Sequence, residues 1–259
     1  MAREAARGGK GELSAAQIQK FQMIADEIER QRPILENLLG GDVGWDAFMR
    51  SVTTALRGNG YILNLPPASI VQACFEAAQD RLLPDGVQGA IVPRYNWRTD
   101  ATEAKWQPMY QGLLIVAKKY AGVRSIDAEL VFEGEHFLSV KGTSPRIEHV
   151  QDVSKFDLSK IVAAYCVVWF NDGTYKSEVM DRAALDEVRK SSEPVKRGRP
   201  TPWVGPFAGE MYRKTVMRRA WKWVPATGEN AHIVANAIQR IDGEQAGMRE
   251  HDTLAAAGI

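Results

Sequence analysis

Lys160 to Met180 reads KIVAAYCVVWFNDGTYKSEVM, and the period of this stretch decides the fold. Its first eleven residues are almost uniformly apolar and rich in β-branched and aromatic types. A run of that length reads as a strand buried on both faces or as the central strand of a sheet. Asn171-Asp172-Gly173 is a hairpin signal, with the Asp-Gly pair at the positions that need φ > 0. Thr174 to Met180 then returns as a second strand.

Upstream, Val123, Ile126, Ala128, Leu130 and Phe132 alternate with polar residues, so Val123 to His136 is a strand ending in the turn Glu133-Gly134-Glu135. Phe137 to Lys141 is expected to pair back on it, and Arg146 to Val150 is a further short strand. Met109 to Tyr120 has helical spacing, with Lys118 and Lys119 at the end where the helix dipole favours cations. Before it, Gln88 to Tyr95 is a short strand closed by Pro93, Asn96 to Ala104 an exposed loop or hairpin tip, and Lys105 to Pro108 a return. Three helices open the chain. Ser14 caps the first, running to Arg32, with Ile18, Phe21, Ile24 and Ile28 as its apolar stripe. The second spans Trp45 to Leu56, and the third starts near Pro67 and ends before the turn Leu83-Pro84-Asp85-Gly86.

Downstream, Asp181 caps a helix to Lys190, and Ser191 to Pro202 (SSEPVKRGRPTP) is a polar, basic linker. Pro206 to Pro225, PFAGEMYRKTVMRRAWKWVP, is one helix, opened by a proline that its first turn tolerates and closed before Pro225. Glu229 to Ile241 forms a last helix. Residues 1–13 and 242–259 have too little apolar content to pack and are expected to be disordered. The fold class is α+β, a mostly antiparallel sheet packed on helices, with N-terminal helices and a C-terminal helical segment. Three parts are expected: a helix and leader over 1–44, a core over 45–226, and a helix with tail over 227–259.

The 259 residues carry a net charge of only +1. That balance hides an asymmetry: Asp181 to Trp223 holds eleven Lys and Arg against five Asp and Glu, a net of +6, leaving about −5 elsewhere. A local basic field in a near-neutral chain suits a defined anionic site. No stretch approaches the ~20 apolar residues that span a bilayer. The charged, small leader lacks an apolar segment, so a cytoplasmic location is expected. Cys74 and Cys166 sit in apolar contexts and read as buried thiols rather than a disulfide or metal site.

On the 206–225 helix, at about 100° per residue, Val216, Met217, Ala220, Trp223 and Val224 share one side. Lys214, Arg218 and Lys222 repeat every four residues on another, with Arg219 beside them, and only Glu210 offers an acid at the pairing distance. A solvated face is the commoner meaning of such a stripe; a track for a polyanion is the sharper one. Aromatics accompany the bases. Tyr95, Trp97 and Trp106 flank Arg94, Arg98 and Lys105, while Trp203 precedes the helix and Trp221 and Trp223 end it. Cationic grooves with aromatic platforms hold single strands by stacking their bases. Trp223, on the apolar side, reads as packing, whereas Trp97 and Trp203 are candidate platforms.

No phosphate-binding GxxxxGK[ST] run, GxGxxG, GxSxG or HExxH occurs. Glu129, Glu133, Glu135, His136, Glu148 and His149 form the acid and histidine cluster that a metal-dependent nuclease would need. Alternating charges on the wet face of a strand and at a turn explain the same residues.

The string PWVGPFAGEMYRKTVMRRAWKWVP resembles the closing motif of the RecT family of phage single-strand annealing recombinases. MYQGLLIVAKKYAGVRSIDAELVFEGEHF is similar to the family's Tyr-x-Gly helix, strand and Glu-Gly turn, with Gln111 where the family often has Arg or Lys. RIEH and AAYCVVWFNDGTYKSEVMDRAALDEVRKSS resemble the segments that follow. The resemblance implies a single-strand annealing core that binds single-stranded DNA and anneals complementary strands without ATP. It also implies a homo-oligomeric ring or filament beside a phage-type 5′→3′ exonuclease, and contact with host single-strand binding protein. No cofactor and no catalysis are implied, with Mg²⁺ at most a modulator of annealing, and no membrane. Carried over by position, the DNA-facing residues are Arg94, Lys214, Arg218, Arg219 and Lys222. Charge and aromatic character add Lys105, Arg197, Arg199, Trp97 and Trp203. Arg213 lies toward Met217 and Ala220 and is expected to brace the sheet. A metal-dependent nuclease, or a protein that coats single strands without annealing them, are the alternatives.

Overall fold

The computed structural model describes residues 13–96, 99–198 and 200–241. The expected disorder of residues 1–12 and 242–259 lies outside them. The chain divides into two compact units, one comprising Met1–Val116 with Ala235–Ala237, the other Ala117–Val234 with Ile238–Ile259.

The first unit is helical with one hairpin. Helix α1 (Ala15–Arg30) begins at Ser14, whose hydroxyl accepts from the Gln17 N–H while the Gln17 side chain returns to the Ser14 N–H. This reciprocal cap satisfies two backbone donors that the helix leaves open. Phe21, Ile24 and Ile28 are buried as expected, but Ile18 is exposed. Pro33 does not simply end α1. It sits in the first turn of a short second helix, α2 (Arg32–Leu39), which closes on Gly40 at φ 64°. Helices α3 (Trp45–Gly58) and α4 (Pro67–Gln79) follow, and α4 is the centre of the unit, packed on α1, α2 and the hairpin. That hairpin pairs β1 (Gly89–Asn96) with β2 (Ala101–Pro108), Ile91 opposite Trp106 and Arg94 opposite Glu103. The return strand therefore starts at Ala101, inside the segment expected to be loop. Trp106 is buried, and its indole N–H donates to Asp80 Oδ2 at 2.7 Å. A side chain at Gly89 would meet that ring, since a Cβ there lies 2.0 Å from it.

Helix α5 (Tyr110–Tyr120) carries the chain into the second unit. There β3 (Val123–Phe132), β6 (Ile161–Phe170) and β7 (Tyr175–Asp181) form an antiparallel sheet with β6 in the middle. The apolar run thus takes the central place its composition demands. In the β6–β7 turn only Gly173 has positive φ, at 84°; Asp172 does not. The loop closes through Gly173 N–H to Phe170 O and Phe170 N–H to Thr174 O, with the Asp172 carboxylate accepting from the Thr174 N–H and hydroxyl. Three loop residues with glycine last need positive φ at one place, not two.

Strand β4 (His136–Val140) does not pair with β3. It pairs with β5 (Arg146–Val150) in a separate two-stranded sheet. The ten-residue β6 matches β3 along its whole length, whereas β4 turns away and lays Phe137 on the Tyr165 ring at 5.3 Å.

Helix α6 (Arg182–Ser191) starts where Asp181 caps the Ala184 N–H. After it comes a one-turn helix, α7 (Glu193–Lys196), and then α8 (Ala208–Ala220). The helix expected from Pro206 begins two residues later and ends at Ala220, where Trp221–Trp223 tighten into a 3₁₀ turn. Residues 231–241 form the last described helix, with Ile233, Val234, Ala237 and Ile241 buried. Cys74 and Cys166 are free and buried, and burial pushes both thiols up to about 12, so neither is reactive near neutral pH.

Candidate nucleic-acid interface

Helix α8 lies across β3, β6 and β7. Gly209, Tyr212, Val216 and Ala220 form its buried side. A Cβ at Gly209 would sit 3.0 Å from Leu158 and 3.1 Å from Leu130, so the absent side chain is what lets the helix lie so close to β3. Tyr212 donates its hydroxyl to Asp186 Oδ1 at 2.8 Å, and Arg182 donates to Oδ2 of the same carboxylate at 2.8 Å, tying α8 to α6. Burial works against the Asp186 charge, but the bonds from Arg182 and Tyr212 outweigh it and hold the carboxyl below its ordinary range.

The opposite side of α8 is cationic. Lys214 and Arg219 are exposed and Arg218 is half-buried. Arg213 bridges Glu210 at 2.7 Å and Glu129 of β3 at 3.3 Å, so it braces the sheet as expected, though through a carboxylate that is half exposed. The basic stripe is not free of acid, contrary to the expectation from α8 alone. The acid comes from β7. Glu178, with a side chain 9% exposed, takes Arg219 Nε at 2.9 Å on one oxygen and Lys222 Nζ at 2.7 Å on the other. Burial would raise its pKa; the hydrogen bonds from Lys222 and Trp223, with the Lys222 and Arg219 charges, lower it below the usual carboxylate value.

Trp223, expected in the packing, is at the surface instead, and Trp221 is core. Trp221 is 2% exposed and Trp223 is 39% exposed. The increment of about 100° per residue would point Trp223 inward, but it stops applying where the α-helix ends at Ala220. Trp203 is 7% exposed and stands edge-on to Tyr212 at 5.6 Å, so its place is in the packing beneath α8 and not on an open platform.

In the first unit, Arg94 and Lys105 share one face of the β1–β2 hairpin with Glu103 and Gln107. Arg94 donates to Gln107 Oε1 at 2.9 Å, and Lys105 lies 3.4 Å from Glu103. Trp106, which the sequence placed beside this tip, is core. Arg197 is exposed just beyond α7. Trp97 and Arg199 lie outside the described residues.

Within the acid and histidine cluster, Glu135 and His149 form a structural tie. Glu135, fully buried, accepts the N–H of Phe132 at 2.7 Å and of Asp152 at 2.9 Å, and lies 3.1 Å from His149 Nε2. His149 Nδ1 is 3.2 Å from the Tyr165 hydroxyl. The side chains of Glu135 and His149 are 0% and 7% exposed and so are not on a wet face, whereas Glu129, Glu133, His136 and Glu148 are exposed, as alternation along a strand and at a turn implies. Beside them a groove of about 340 Å³ runs between Asp127, Glu129, Tyr165, Trp169 and Tyr175, and its carboxylates repel a polyanion. Among the described residues, no group of three or more His, Cys, Asp or Glu is placed to hold a metal ion.

Sequence reasoning missed Glu178, Lys176 and Trp223 as members of the cationic face. One signal was legible: in β7, Lys176, Glu178 and Met180 fall on one side of the strand by alternation, and Met180 is core.

The described residues thus define an α+β protein that presents a basic helix on an antiparallel sheet. The chain belongs to the RecT family, whose model matches residues 46–251. It is similar to Protein RecT of Escherichia coli (strain K12), at 27% identity over 194 residues that cover 73% of this chain and 70% of that relative.

Proposed function

We propose that this protein binds single-stranded DNA and anneals complementary strands in phage-type homologous recombination, without ATP and without making or breaking a covalent bond. The observation that carries the reading is the cationic outer side of α8, set on an apolar inner side, in a chain of the RecT family. Two single strands repel through their phosphates. A basic surface neutralises the first strand and holds it extended, and base pairing rather than the protein then tests the second. Lys214, Arg218, Arg219 and Lys222 are the proposed phosphate contacts, with Arg94, Lys105 and Arg197 as further cations. Binding is therefore independent of sequence and falls with salt.

The protein acts as a homo-oligomer, a ring or filament, on single strands and the annealed duplex. A 5′→3′ exonuclease supplies the strands and host single-strand binding protein is a further partner, in the cytoplasm. No cofactor is required, and Mg²⁺ modulates annealing by screening phosphates. Among the described residues no helix is long and apolar enough to cross a membrane. The test is annealing of labelled complementary oligonucleotides with and without ATP and Mg²⁺. Faster pairing in the absence of ATP supports the reading. Metal-dependent shortening of the strands would instead make the protein a nuclease, and protection with slower pairing would make it a coating protein.

A further inference from the structure

Trp223 is a surface tryptophan whose ring is nonetheless held. Its indole N–H donates to Glu178 Oε2 at 3.2 Å, and Glu178 is itself fixed by Arg219 and Lys222. Two ammonium groups flank the ring, Lys222 Nζ at 5.0 Å and Lys176 Nζ at 5.8 Å from its centroid. Trp221 and Val224, on either side of it in the sequence, are the residues that this turn buries. The ring stays at the surface with 39% of the residue exposed, its N–H anchored on Glu178. The arrangement suits an aromatic face kept open and fixed in orientation, with cations beside it.

We propose that Trp223 is a stacking platform for a base of single-stranded DNA, that Lys176 and Lys222 contact the phosphates on either side of that nucleotide, and that Glu178 is the positioning residue that orients the indole. The proposal rests on the single-strand binding reading and adds to it Trp223 and Lys176, which lie outside the basic stripe of α8, and a second role for Glu178, which pairs with that stripe. Stacking tolerates any base, since every base has a π face, so the platform keeps binding sequence-independent. Lys176 and Lys222 are exposed, on flexible stems at long cation–π distances. An arriving base displaces an ammonium from the ring, and the strand's own phosphate receives it.

The test compares oligo-dT with an abasic deoxyribose-phosphate oligomer of equal length, on the full chain and on Trp223→Ala and Trp223→Phe. Trp223→Ala is expected to lose about tenfold in affinity for oligo-dT for one base stacked per subunit, with binding of the abasic oligomer and the salt slope unchanged. Trp223→Phe keeps most of the affinity but loses the part of the tryptophan fluorescence quenched by oligo-dT, a readout available even if the alanine variant folds poorly. Equal affinity of Trp223→Ala and parent for oligo-dT, an equal loss on both oligomers, or unchanged quenching in Trp223→Phe overturns the platform while leaving annealing intact. A parent that binds neither oligomer overturns the single-strand reading and the platform with it.

Discussion

Replacing Glu178 by Gln separates the cationic face from the packing beneath it, because it moves stability and binding in opposite directions. The carboxylate serves three donors: Arg219 at 2.9 Å, Lys222 at 2.7 Å and the Trp223 indole at 3.2 Å. The amide keeps an acceptor oxygen for the indole and removes the charge that pairs the two cations. Arg219 and Lys222 have side chains 53% and 48% exposed, so solvent already screens each pair. Each such pair is worth about 0.2–1 kcal/mol. The expected loss of stability is therefore only about 1 kcal/mol, a fall in melting temperature of about 2–4 °C for a chain of this size.

Binding changes the other way. In the parent, Arg219 and Lys222 give one of their two charges to Glu178 and one to the strand; with the carboxylate gone, both face phosphates. The slope of log K against log[salt] for a single strand steepens by about 0.7, because one added net positive charge neutralises one further phosphate. The assay is fluorescence anisotropy of a labelled oligo-dT across a salt series, with a parallel urea melt to follow the fold. A variant that folds and binds with the parent's slope, or a shallower one, refutes the assignment of Arg219 and Lys222 to the DNA-facing surface. General damage does not imitate the expected result, because it weakens binding.

Three further outcomes follow from the same geometry. Replacing Lys214, Arg218 and Lys222 together by Ala leaves the buried side of α8 untouched and its helix propensity improved; single-strand binding should weaken with a slope shallower by roughly 1.4–2, and a folded variant that anneals like the parent makes the stripe a mere solvated face. Trp221→Ala should cost ~3–5 kcal/mol as an emptied core site and Trp223→Ala much less, so urea melts that rank the two the other way contradict the burial seen here. The acid limb of stability depends on Glu135, whose burial opposes its charge while the N–H donors of Phe132 and Asp152 and the neighbouring His149 hold its carboxyl below the usual range. A depressed carboxyl stabilises the fold above its unfolded value of about 4.3, and that contribution disappears as pH falls through the lower folded value; Glu135→Gln should flatten the acid limb of urea midpoint against pH, and an unchanged limb means that other carboxylates control it.

The sheet was legible because its signals are local. The Lys160–Phe170 run is apolar on both faces, and the turn after it contains the glycine that the loop requires at φ 84°. The Ser14 cap and the Asp181 cap were likewise written in single residues. Pairing between strands distant in sequence was not. Nothing in Phe137 to Lys141 says that it will choose Arg146 to Val150 over β3, and that choice is what buries Glu135 and His149 and turns these two members of a catalytic-looking cluster into a structural tie. Glu178 belongs to the same class, since its partners lie 41 and 44 residues further along the chain.

The end of α8 shows why a correct element can still yield a wrong face. Periodicity placed the inner residues Val216 and Ala220 well, because both lie inside the α-helix. Three residues further on, the same arithmetic assigned Trp223 to the core and left Trp221 out. The chain had already changed geometry at Ala220, and Val224 N–H closes on Trp221 O at 3.0 Å as a 3₁₀ turn. Side chains on such a turn follow a different spacing and a different axis. Trp221 and Val224 take the buried side, Lys222 reaches Glu178, and Trp223 comes to lie over the edge of β7 with its N–H anchored and its ring in water. One bond pattern, three residues long, thus decides which tryptophan holds the fold and which is free to meet a base.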